Sequence, residues 1–147
     1  MDIDDAVRGA RLLASDIETS LGFAVHVDTG ITDKWRTFSD RTGSPAPKAL
    51  VRIAVPDAGT TAALDPTEPG SATAEEFAME LALILQDDIQ IHIREPWPKD
   101  PTTSGRSLEP TERGWQSSRN RAYLVQYGQL GHSADQPEPR DDVATDT

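Results

Sequence analysis

The chain has 147 residues, enough for one domain, and its 11 prolines, 10 glycines and mean hydropathy of −0.53 keep the core small. A formal charge of −11 repels phosphate backbones and anionic bilayers, and the lack of cysteine excludes disulfides, thiolate zinc sites and a cysteine nucleophile. The acidic opening MDIDDAVRG has neither region of a secretory signal and no apolar run is long enough to span a bilayer, so a cytoplasmic protein without membrane contact is expected.

Residues 3–20 place Ile3, Val7, Ala10, Leu13, Ala14 and Ile17 at helical spacing, continued by Leu21, with Arg8, Arg11, Asp16 and Glu18 elsewhere on the wheel. Asp2, Asp4 and Asp5 suit the positive end of the helix dipole, and Gly22 is a C-terminal stop. FAVHV, residues 23–27, alternates as a short strand. The polar segment 28–48, with Trp35 and Phe38, predicts an ordered loop or weak hairpin. ALVRIAV, 49–55, reads as a strand stopped by Pro56, and 56–72 as a flexible connection.

Thr73 and Glu76 form a capping box that opens a second helix over 73–94. Its end, QDDIQIHI, also alternates like a strand, but nothing near Gln86 would stop a helix. Ile89, Ile91 and Ile93 are therefore placed on one broad buried helical face. Pro96 and Pro98 terminate it. After a turn-rich loop, 114–118 and 121–130 read as two strands joined by a turn near Arg119 and Asn120. From 132 to 147 the chain is expected to be a disordered acidic tail carrying −4 of the charge. The sum is an α+β domain over 1–131, two amphipathic helices packed on a small, mostly antiparallel sheet.

Few motifs carry chemistry. Asp28-Thr29-Gly30 after an apolar strand resembles the aspartic-protease motif, in which two Asp side chains share a proton, and a homodimer would bring two copies of Asp28 together. The same three residues are also a natural turn. Ile31 stands where that family has a small residue, and the second half of its pattern is missing. His26, His92 and His132 are too dispersed for a metal site, and the adjacent carboxylates of Asp87 and Asp88 diverge on a helix. Residues 94–121 hold six basic against four acidic side chains, a mixed solvated surface rather than a nucleic-acid groove. Trp97 and Trp115 either form a small core that closes the C-terminal hairpin onto the helix end or, with Trp35, offer anchors for a protein partner.

From Phe77 onward, FAMELALILQDDIQIHIREPWPKDP, a turn-rich loop, GWQSS and YLVQYGQLG resemble small proteins of actinobacteria and their phages over about residues 73–131. That resemblance implies a long helix, a Trp-Pro junction and a Cys/His knuckle holding zinc. Here Asp100 and Ser117 stand at the cysteine positions and the TTSGRS loop has no histidine, so no metal and no cofactor are expected. Packing of Trp97 and Trp115, or the turns around Gly105 and Pro110, would replace the metal.

The expected function is non-catalytic: an interaction or accessory protein, phage or mobile-element encoded, that binds another protein and no nucleic acid. The alternatives are a homodimeric aspartic-protease-like hydrolase using Asp28 and a structural subunit of a virion or other homo-oligomeric assembly.

Overall fold

The computed structural model describes residues 1–31, 49–67 and 71–131. Trp35, Phe38, His132 and the tail from 132 onward lie outside them, so the expectations placed on them are not addressed by the structure.

Helix α1, Ile3–Leu21, is capped as its sequence dictates. The Asp2 carboxylate accepts from the Asp5 amide at 2.9 Å, and Gly22, at φ 74°, closes the other end by donating to the Glu18 carbonyl. Strands β1 (His26–Ile31), β2 (Ala49–Val55) and β3 (Thr60–Leu64) form an antiparallel sheet in that order. β2 alternates outward and inward, so Val51, Ile53 and Val55 are buried on the face that the helices cover. α1 lies over β1 and β2, while α2, Ala74–Ile93, lies over β3 and beside α1. Each helix carries buried alanines at four-residue spacing, Ala6, Ala10 and Ala14 on one and Ala74, Ala78 and Ala82 on the other. The helices come so close that a Cβ on Gly9 would collide with the Ala74 carbonyl oxygen.

The C-terminal part forms a second antiparallel sheet of β4 (Glu109–Thr111), β5 (Gly114–Gln116) and β6 (Leu124–Val125), with β4 against α2. The molecule is thus α+β, with two helices and two small antiparallel sheets.

Four local expectations are corrected. The first strand starts at His26 rather than Phe23 and runs through the Asp28-Thr29-Gly30 stretch, which is therefore strand and not turn. The segment 56–72 is not one flexible connection: Pro56–Ala58 make a single 3-10 turn, and β3 pairs Ala62 with Ile53. In the C-terminal part the expected pairing holds, with Trp115 opposite Val125, but only Leu124–Val125 of the predicted strand 121–130 joins the sheet, and β4 adds an unforeseen strand on the other side with Pro110 opposite Trp115. The three isoleucines at the end of α2 do not share one buried face, since Ile89 is buried, Ile93 half-buried and Ile91 74% exposed.

Candidate functional site

The Trp-Pro junction after α2 is an interior structure. Trp97 is 4% and Trp115 0% exposed, and their rings meet edge to face at 5.3 Å, with Tyr127 on the other side of Trp115 at 5.5 Å. Each indole N–H has a partner on α1. Trp97 Nε1 donates to Ser20 Oγ at 3.0 Å, and Trp115 Nε1 donates to the wholly buried Asp16 carboxylate at 2.9 Å. Asp16 also accepts from the amides of Gly128 at 3.0 Å and Leu130 at 2.9 Å, tying the end of the C-terminal segment to α1. Buried carboxylates persist only where donors satisfy them, and these three do so. Gln86 reaches from α2 to donate to the carbonyls of Trp97 at 3.0 Å and Leu108 at 2.8 Å, while Gln90 accepts from the Trp97 amide. Trp97 and Trp115 therefore close the hairpin onto the helices, and neither presents a face on which a partner could dock.

Asp100 and Ser117, the two positions where the resemblance implies metal ligands, are brought together. Ser117 Oγ donates to Asp100 Oδ2 at 2.5 Å, and Asp100 Oδ1 accepts from the Thr102 amide and hydroxyl at 2.8 and 2.6 Å. The Ser117 hydroxyl oxygen in turn accepts from the Asn120 amide at 2.9 Å, so one carboxylate and one hydroxyl order both turns of the knuckle. Burial pushes the Asp100 carboxyl up, but donation from Ser117 and Thr102 outweighs it and leaves the group below its ordinary value. No group of three or more His, Cys, Asp or Glu side chains that could hold a metal ion occurs among the described residues.

Asp28 lies mid-strand, directly across from Arg52 of β2, and both of its oxygens are taken by that guanidinium, Oδ1 by Nε at 3.2 Å and Oδ2 by an Nη at 2.9 Å. A protease dyad requires two carboxylates facing each other, whereas this one faces a cation. His92 sits edge to face with Phe23 at 5.8 Å, so that histidine is packed against α1's exit rather than grouped with His26.

The remaining unexplained chemistry is on the outward side of α2. Among the described residues the large exposed apolar side chains are Ile3, Leu83, Ile84 and Ile91, and three of the four belong to this helix. Leu83 is 53%, Ile84 43% and Ile91 74% exposed. Ile84 and Ile91 are two turns apart on one side, about 10 Å along the axis, with Leu83 flanking them. Carboxylates alternate with them: Glu80, Ile84, Asp87, Ile91 and Glu95 follow one another at steps of three or four residues. Asp87, Ile91, Glu95, Gln90 and Pro96 line a groove of about 470 Å³. Gln90 and Pro96 also line a neighbouring cleft of about 270 Å³ that continues past Ser107, Glu109 and Ser118. A larger cleft, about 600 Å³, lies instead between α1, the start of α2 and the C-terminal sheet. Its charges are balanced, since Arg8 faces Glu75 at 3.7 Å and Glu112 adjoins Arg113.

This outward stripe was not among the sequence-derived site residues. The signal lay in LALILQDDIQIHI, which holds more large apolar side chains than one helical face can bury. Comparison with protein families, with curated proteins and with solved structures finds no match to the chain. No helix among the described residues is long and apolar enough to cross a membrane.

Proposed function

We propose that the chain is a non-catalytic protein-binding domain and that its docking surface is the outward face of α2. The carrying observation is the exposure of Leu83, Ile84 and Ile91 together on a helix whose inward side, with Leu81, Leu85 and Ile89, is fully buried. Single exposed apolar residues are ordinary on protein surfaces, but three on one arc beside a groove are the pattern that interfaces use. Among the described residues none of the three belongs to the core cluster or packs against it. Helix-in-groove recognition reads such side chains at spacings of three, four and seven residues, and Ile84 and Ile91 stand seven apart.

The two other expectations draw less from the geometry. The engagement of Asp28 by Arg52 gives no support to a hydrolase.

The test is site-specific photocrosslinking in the native host. A photoreactive residue at position 91 should give one discrete adduct, and the same residue at Ala63, on the far face of the sheet, should not. Leu83→Ser together with Ile84→Ser should remove the adduct while the melting temperature holds. Equal adducts from positions 91 and 63, or none from 91, would count against a docking role for this face.

A further inference from the structure

The charge pattern of the α2 stripe identifies the kind of partner that fits it. Its outward side chains run acid, apolar, acid, apolar, acid from Glu80 to Glu95, with Arg94 at the helix end the basic exception. Glu95 already takes Lys99 at 2.8 Å and Asp88, beside the stripe, takes the Thr60 hydroxyl at 2.7 Å, whereas the groove wall still presents Asp87 next to Ile91. A second copy of this chain is a poor occupant. Antiparallel pairing of two α2 helices that sets Ile84 on Ile91 also sets Glu80 against Glu95 and Asp87 against Asp88, and parallel pairing sets every acid against itself. Like charges brought into contact as water leaves are strongly disfavoured, and opposite ones steer association.

We propose that this face takes a basic amphipathic helix from a partner protein. Apolar side chains of that helix, seven residues apart, seat on Ile84 and Ile91, a Lys or Arg between them meets Asp87, and another beyond Ile84 meets Glu80. The inference rests on the protein-binding function proposed above and adds the chemistry of the partner. The trough that continues from Ile91 past Gln90 and Pro96 to Ser107 and Glu109 gives the bound segment room to run beyond the helix end.

The experiment is a titration of the full isotope-labelled chain with two synthetic helical peptides of the same heptad pattern, one Lys/Leu and one Glu/Leu, followed by amide shift changes and fluorescence anisotropy. The Lys/Leu peptide should bind roughly tenfold or more tightly than the Glu/Leu peptide, with shifts confined to residues 80–96 and 105–109. Ile91→Ser should weaken it roughly tenfold, and Asp87→Asn should weaken it and flatten its salt dependence, both with unchanged melting. Equal binding of the two peptides, shifts centred elsewhere, or indifference to both substitutions would overturn the proposal. So would a concentration-dependent dimer that Ile91→Ser dissolves, which would make the occupant a second copy. If neither peptide binds while position 91 still crosslinks a host protein, the charge inference fails and the docking function stands; if position 91 is silent as well, both fail.

Discussion

The two helices are nearly equal in length, 19 and 20 residues, yet they treat their two sides in opposite ways. α1 keeps its large apolar side chains inside, Ile3 at its first turn excepted, and goes further by placing a carboxylate, Asp16, in the interior. α2 buries no charge and leaves three large aliphatic side chains outside. The contrast separates two uses of sequence. Polar groups in the interior of α1 specify how the C-terminal segment docks, because only one arrangement satisfies the Trp115 indole and the amides of Gly128 and Leu130 at once. The apolar groups outside α2 join no core cluster among the described residues.

The largest expected effect breaks the inner arrangement of α1. Trp115→Ala should cost about 3–5 kcal/mol by denaturant unfolding, since it empties a wholly buried indole site. Asp16→Ala should cost about 2–4 kcal/mol, because it leaves buried donors without an acceptor. The two losses should be less than additive in the double variant, because each already breaks the same contact. Strict additivity would mean that the indole and the carboxylate do not act together.

Next in size is a test inside α2 itself. Leu81→Ala should cost about 2–4 kcal/mol, as for other fully buried leucines, whereas the outward leucine two positions later should tolerate truncation. If Leu83→Ala cost as much as Leu81→Ala, the outward side would be part of the core and the contrast between the helices would vanish.

How much of this was legible in the sequence follows the range of the interactions involved. α1, α2 and β2 announce themselves because period, capping residues and the stop at Pro56 are local. β3 was hidden because TTAAL has little apolar weight; only its register on β2, Ala62 beside Ile53, makes it a strand. Asp28-Thr29-Gly30 has turn-forming residues, yet Arg52, 24 positions away, holds the aspartate in the strand. The fate of the indoles was set by Ser20 and Asp16, 77 and 99 positions away, and no local pattern reports such distances. At the candidate site the signal is local. QDDIQIHI has a helical period, but the 100° step between residues turns Ile91 away from Ile89 by about 200°, so its isoleucines do not all face the interior.

The helix ends offer a smaller comparison. Both close with a left-handed residue, Gly22 at φ 74° and Arg94 at φ 62°, each donating back to a carbonyl four residues earlier. Glycine adopts that conformation freely and arginine does not. Arg94→Gly should therefore stabilise the protein by about 0.5–1 kcal/mol. A loss of stability would show that the Arg94 side chain contributes more at this end than its backbone conformation costs.

The smallest expected effect is the one that decides what α2 is for. Ile91→Gln, and the triple variant that adds Leu83→Gln and Ile84→Gln, should change stability by no more than about 0.5 kcal/mol per site, because side chains this exposed gain little from folding. Glutamine keeps helix propensity close to leucine's, so no backbone penalty obscures the comparison. The expected gain is in solubility at high concentration, since exposed apolar area is what drives nonspecific association. A marked loss of stability would place these side chains under a part of the chain itself, and α2 would then be an interior helix like any other. Unchanged stability joined to lost partner binding would leave one account of the stripe: it is built into α2 for a second molecule, and the fold merely holds it in place.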